Sequence, residues 1–335
     1  MPSSHPVRCC SSVSIVLALL ASCGSPVPAP DAAPPSTVPT SPSGVFTVTS
    51  TLDLAVPAAA EPVLATLAAM TDGPDDPTRY LVDRMLVTLP EGPVKTIAIQ
   101  AAPYVAAYLN ERLAGIAPRF VTGIAAIADG LDRIAAQVGT VETLRIDGDG
   151  AATRTITGAR FGVGAQPTTV AFADGGLADL VVGTHVVLDT TGRAAIGDHA
   201  YGWPYGALLR LGLDRAVIAG VEPTARDLAT ALASLVDCAA LGALAADRIG
   251  FGSATLYRTA CRAGMAAIAS EIYARIAAID DAPLALDLTG TATGVDLDGD
   301  GSMDELRAGR WSGSLHAAGS REPIDAAGFT GTKAP

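Results

Sequence analysis

Positive charge, aromatic rings and histidine are all scarce in this chain. Only Lys95 and Lys333 are lysines, and the 22 Lys and Arg residues face 34 Asp and Glu, for a formal net charge of −12. That balance argues against a nucleic-acid partner, because phosphate binding needs a basic footprint. Acidity of this kind serves solubility or, where acids cluster, cation binding. Aromatic residues make up 4% of the chain although hydrophobic residues reach 49%. Alanine supplies much of that hydrophobicity, so helices can pack closely while the core gains little from large rings.

Catalytic patterns are equally sparse. Beyond the leader the histidines are His185, His199 and His316, and they form neither HExxH nor zinc-finger spacing. A GxSxG nucleophile elbow is missing. Asp198-His199 could act as an acid/base pair, but neighbours on a strand point to opposite faces. Gly250-Phe251-Gly252-Ser253 lacks the third glycine and the preceding strand of a dinucleotide loop, and reads as a helix-start turn. A glycosidase-type carboxylate pair stays open at this level.

What the sequence does carry begins at its amino end. Arg8 and the amino terminus are followed by the apolar run Val13 to Leu20 and by the small residues Ala21-Ser22, the parts of an export signal. That run is too short to span a bilayer. Leu20-Ala21-Ser22-Cys23 resembles the lipobox of bacterial lipoproteins. The resemblance, confined to these first 23 residues, implies that residues 1–22 are removed and that Cys23 is acylated, anchoring the protein to the bacterial cell envelope. Gly24 after that cysteine implies the outer membrane. An ordinary signal cut near Ser22 is the other reading.

From Gly24 to Gly44, prolines 26, 28, 30, 34, 35, 39 and 42 describe a tether, unable to fold into a core. In a polyproline II conformation of about 3.1 Å per residue it would reach roughly 60 Å. Cys238 and Cys261 are the two cysteines left in the domain. An oxidising compartment would pair them, and two buried free thiols are the alternative.

Residues 45–317 read as an α+β domain: an antiparallel, curved sheet packed on very apolar helices, with helical segments in both halves. Residues 45–54 alternate as a half-buried strand. Residues 61–138 read as helices, with a start near Thr78 capped by Asp76; those between Val94 and Val138 are apolar nearly all round and are expected to be buried. Strands follow over 141–146, 152–163, 170–173, 178–188 and 193–199, separated by Asp/Gly turns. Tyr201-Gly202-Trp203-Pro204-Tyr205-Gly206 is an aromatic knot, read as packing at a bend or the lining of a pocket. Residues 208–218 are ambiguous between helix and strand. Helices capped at Thr224 and continuing over 237–249 and 253–279 would place Cys238 and Cys261 on a helical hairpin, and strands 284–295 and 306–316 complete the domain. The order suggests two similar halves, about 45–200 and 201–317, without a repeat at the level of residues. Residues 318–335 read as a flexible tail on which Phe329 could dock.

The sharpest local chemistry is Asp296-Leu297-Asp298-Gly299-Asp300-Gly301-Ser302-Met303-Asp304-Glu305. Alternate carboxylates followed by glycine can converge on one hard cation. The stretch resembles the calcium loops of EF-hands and thrombospondin-type repeats, although Arg307 stands where an EF-hand has Glu and the flanks read as strands. Asp296, Asp298, Asp300, Asp304 and Ser302 are therefore candidate calcium ligands, and a metal-free Asp/Gly hairpin is the alternative. Asp147 and Asp149 form an echo with too few ligands, read as a plain turn. Together these features point to a lipid-anchored, noncatalytic binding or structural module touching the membrane through Cys23. A carrier of lipid or another hydrophobic ligand is second, motivated by apolar helices beside a curved sheet, and an envelope hydrolase third.

Overall fold

Alternation in β1 (Gly44–Asp53) gives that strand two unlike faces: Phe46, Val48, Ser50 and Leu52 are buried, whereas Thr47, Thr49 and Thr51 face solvent. The same period governs β2 (Gln137–Ile146), β3 (Ala151–Phe161), β6 (Arg193–Gly202) and β7 (Ala285–Val295). Residue positions come from a computed structural model that describes 37–54, 56–68, 70, 77–163, 166–317, 320–324 and 326–335, within a unit spanning residues 35–335. The leader, Cys23, most of the tether and the expected cap Asp76 lie outside the described residues.

With β5 (Leu180–Leu188), β8 (Glu305–Ala317) and β10 (Ala326–Lys333), these strands close a ring in the order β1-β2-β3-β5-β6-β7-β8-β10, every pairing antiparallel. The expected curved sheet is thus an eight-stranded barrel, in which each of those strands has two neighbours, the β5–β6 seam being the shortest, paired over Val186–Leu188. Short β4 (Thr168–Ala171) hangs on β3, and β9 (Ser320–Pro323) hangs on β8.

Closure corrects the expectation for the carboxyl end. Residues 326–333, read as a loose tail, are the strand between β1 and β8, and Phe329 is buried against Trp311. The flexible reading failed because Gly328, Gly331 and Lys333 dilute the alternation that Phe329 anchors. The tether is likewise shorter than expected. Thr37 pairs with Asp296 and Ser41 with Ser302, so residues 37–43 form a strap against the barrel before β1 begins.

Two helical excursions leave and return at the same end of the barrel. Between β1 and β2 run α1 (Glu61–Ala68), α2 (Pro77–Val87), α3 (Pro93–Ile116) and α4 (Phe120–Ala136); between β6 and β7 run α5 (Tyr205–Gly212), a π-turn (Leu213–Val217), α6 (Ile218–Val221), α7 (Leu228–Leu235), α8 (Cys238–Ile249) and α9 (Ala254–Ile279). Asp53 pairs with Gln137 and Gly202 with Ala285, which fixes both excursions at that end. Helical spacing dictates what each buries: α4 turns Phe120, Ile124, Ile127, Leu131 and Ile134 inward, and α9 does so with Cys261, Met265, Ile268, Ile272 and Ile276. Cys238 and Cys261 are joined, clipping α8 to α9 as expected. Asp227, rather than Thr224, caps α7 by accepting from the Thr230 amide; the Thr224 hydroxyl donates to Glu222 instead. Complete burial of the first helical run does not hold either. α3 packs through Ala98, Ala102, Val105 and Leu109 but leaves Ile99 52% and Tyr104 71% exposed, being an outer helix covered on one side only. No single described helix is long and apolar enough to cross a membrane, and only the bent pair α7–α8 passes that test by length and composition.

The opposite end carries the turns Asp147–Gly150, Asp189–Gly192 and Asp296–Asp304, together with the strap. Halves are visible in the wiring. The series β1, helices, β2, β3, β4, β5 matches β6, helices, β7, β8, β9, β10, and exchanging the two maps the ring onto itself. The division falls in the turn between β5 and β6, ahead of the expected boundary at residue 200.

Candidate functional site: an aspartate loop and a charged barrel interior

Between β7 and β8 the chain reverses over Asp296–Asp304, with Gly299 at φ +80 and Gly301 at φ +87 permitting the sharp path. The Asp296 carboxylate organises it, accepting from the amides of Gly299 at 2.7 Å and Gly301 at 2.9 Å and from the Thr37 hydroxyl at 2.6 Å. The Thr37 hydroxyl foremost, then those amides, hold this carboxyl below its ordinary value despite opposing desolvation. Asp304 accepts from the Leu297 amide at 2.9 Å, and Lys333 lies 3.5 Å from its other oxygen.

One oxygen each from Asp296, Asp298 and Asp304 fall within 4.8 Å of one another. Three carboxylates with no nitrogen or sulfur donor suit a hard cation rather than zinc. The expected ligand Asp300 lies outside that group; it accepts from the Ser302 amide at 2.6 Å, an Asx-type turn like the one Asp298 makes with the Asp300 amide at 3.1 Å. At the matching turn of the first half, Asp147 sits beside Arg145 and Asp149 accepts from the Ala151 amide.

Inside the barrel is a cluster that sequence reading missed. Arg154 and Glu142, both 1% exposed, form a two-pronged ion pair through Nε to Oε2 and Nη2 to Oε1, the latter at 2.9 Å. Arg154 Nη1 reaches Tyr201 Oη at 3.3 Å and His199 Nε2 at 2.9 Å, while its guanidinium lies 4.4 Å from the Trp311 ring centre. Ser50 and Thr140 hydroxyls each donate to Glu142 Oε1 at 2.5 Å, and the Trp311 indole donates to Ser50 at 3.0 Å. His199 places Nδ1 2.9 Å from the Gly197 carbonyl, so the neutral ring donates there and accepts from Arg154 through Nε2.

Burial raises the Glu142 carboxyl, but the Arg154 charge and the hydrogen bonds outweigh it and hold the group below its usual range. Burial, with the Arg154 charge, lowers His199; burial pushes Tyr201 up to about 12. The signal was one of phase: Glu142 stands in step with Leu144 and Ile146, and Arg154 with Ala152 and Ile156, so both charges occupy inward positions.

The remaining singled-out residues separate. Asp198 is exposed and His199 buried, on opposite faces as expected; His185 stands against Gly197 on the outside, and His316 lies 3.0 Å from the Ser314 hydroxyl. The aromatic knot both packs and lines open space: Tyr201 faces the interior, Trp203 is buried, the Tyr205 hydroxyl donates to the Ala135 carbonyl at 2.6 Å, and Gly202, Trp203 and Pro204 border a shallow cleft of about 350 Å³. Below that knot, a cavity bounded by Leu54, Ile134, Phe161, Trp203 and Leu209 holds about 10 Å³, room for no more than a single water molecule. No protein family, curated protein or solved structure matches the chain.

Proposed function

We propose that this is a lipid-anchored protein of the bacterial envelope that works as a rigid binding or structural module, tethered through Cys23 and presenting surfaces rather than an internal chamber. The observation that carries the reading is the position of the strap. Residues 37–43 join the barrel at its aspartate-rich end, so a tether ahead of them would join the domain at that end and leave the helical layer at the other end free to present its surface. Occupation of the barrel interior by Arg154, Glu142, His199 and Trp311 favours this module over a carrier that would house its ligand inside the barrel, which needs an apolar chamber of about 300 Å³ or more there. The three carboxylates of Asp296, Asp298 and Asp304 would bind calcium at extracellular levels and stiffen the loop under the strap.

Palmitate labelling and membrane fractionation test the anchor. Cys23→Ser should give an unlabelled protein released from membranes, and equal labelling of the variant removes the anchor. Native mass spectrometry of the full Cys23→Ser chain with calcium should add one calcium mass that chelation or Asp298→Asn removes. A bare mass would leave the loop as a metal-free turn, and co-purifying phospholipid mass would restore the carrier.

A further inference from the structure

A second polar feature lies in the helical layer, away from both the aspartate loop and the barrel interior. Between α5 and α6 the helix widens into the π-turn Leu213–Val217, a geometry that recurs at functional sites because the extra residue re-aims side chains. It sets Asp214 and Arg215, with Arg210 one turn earlier, along an open cleft of about 420 Å³ whose other walls are Leu177, Ala207, Leu211 and the turn at Asp174. That volume falls in the usual range for small-molecule sites.

The polar groups are ordered from behind. Tyr273 donates to Asp214 at 2.5 Å while its oxygen accepts from the Leu228 amide at 2.9 Å. Arg210 stacks over the Tyr273 ring at 4.8 Å, yet its nearest carboxylate oxygen, on Asp214, is 3.9 Å away, beyond hydrogen-bond reach. Arg215 spends one donor on the Asp174 carbonyl at 3.3 Å. Both guanidiniums therefore retain planar N–H donors at the mouth of a cleft with an aliphatic floor, whose wall also carries the Asp214 carboxylate, engaged by the Tyr273 hydroxyl and the Arg210 charge. Guanidinium geometry matches carboxylate oxygens in pairs, and Leu177, Ala207 and Leu211 offer nothing to a bare inorganic ion.

We propose that this cleft binds a small organic carboxylate, its charged group held by Arg210 and Arg215 and its hydrocarbon body lying on Leu177, Ala207 and Leu211. The prediction is independent of the anchor and of calcium. Isothermal titration of the full Cys23→Ser chain with hexanoate, acetate, hexanol and inorganic phosphate tests it. Hexanoate should bind saturably and more tightly than the other three, because only it satisfies both parts of the cleft. Arg210→Gln and Arg215→Gln should each weaken hexanoate by about 10-fold, the loss expected for one charge-assisted contact, with thermal unfolding unchanged. Leu177→Asp, which keeps both arginines, should weaken it as well. Absence of saturable hexanoate binding, phosphate binding as tightly as hexanoate, or hexanoate affinity unmoved in folded Arg210→Gln/Arg215→Gln protein would overturn the proposal.

Discussion

Exchanging the half that runs from β1 to β5 for the half that runs from β6 to β10 leaves the strand ring unchanged, yet the two contribute opposite chemistry to the interior they share. Glu142 and Arg154 come from β2 and β3; His199, Tyr201 and Trp311 come from β6 and β8. One half supplies the ion pair and the other the rings that enclose it. At the far end the same connection is a four-residue turn in the first half, Asp147–Gly150, and a nine-residue loop in the second, Asp296–Asp304. Only the second helical excursion carries a disulfide among the described residues. Backbone pairing requires alternation and turn residues, not particular side chains. The wiring can therefore be duplicated while the contents diverge, which is why no repeat is visible in the residues.

Wiring gives the largest expected effect. By the exchange, β10 is the counterpart of β5, a full barrel strand, so truncation after Ala317 should open the ring between β1 and β8 and abolish cooperative unfolding by circular dichroism. A truncated protein that melted like the parent would break the equivalence of the halves. Next comes the shared interior. Arg154→Met strands a buried Glu142 carboxylate and should cost about 3–5 kcal/mol in urea unfolding, the usual penalty for removing one partner of a buried pair. The double variant Arg154→Met/Glu142→Leu should recover part of that loss; additive costs would mean that the pair does not act as a unit. Cys238→Ala/Cys261→Ala touches the second half alone and should cost about 3 kcal/mol, set by the 23-residue separation.

Much of the fold was legible because its signals are local. Alternation around Phe46, Asp/Gly turns at 147–150 and 189–192, and apolar spacing in α4 and α9 each arise within a few residues. Closure of the ring was not legible, since the pairing of β10 with β1 joins residues at opposite ends of the chain and Ala326, Ala327 and Gly328 carry no strand preference. The strap was hidden for a related reason: Pro39 and Pro42 mark disorder in isolation, and Asp296, Gly301 and Met303, more than two hundred residues away, supply their neighbours' hydrogen-bond partners. At the aspartate loop composition pointed to the right stretch, but that Asp296, Asp298 and Asp304 are the carboxylates within 4.8 Å of one another depends on the path of the folded loop. Glu142 and Arg154 were readable in phase, though not as partners.

The subtlest effect tests whether the rings of the second half sense the charges of the first. His199 is held neutral because burial and the Arg154 guanidinium lower its affinity for a proton below the ordinary value of 6.5. Above that value neither the folded nor the unfolded chain protonates it, and the group adds no pH dependence. As pH falls below 6.5 the unfolded chain takes up a proton that the folded one resists, so stability declines until the folded site also titrates. Glu142 and Asp296 work in the same direction at lower pH, because both are held below their ordinary values and lose their advantage only as they protonate. Between pH 7 and 5 the declining contribution should therefore belong largely to His199, since burial raises the Asp214 carboxyl and makes it work in the opposite sense. His199→Gln, whose amide oxygen can still accept from Arg154, should flatten the dependence of urea midpoint on pH across that window while leaving the decline below pH 4 intact. An unchanged slope in the variant would show that the ring does not feel the buried ion pair, and the two halves would then share a barrel without sharing an electrostatic interior.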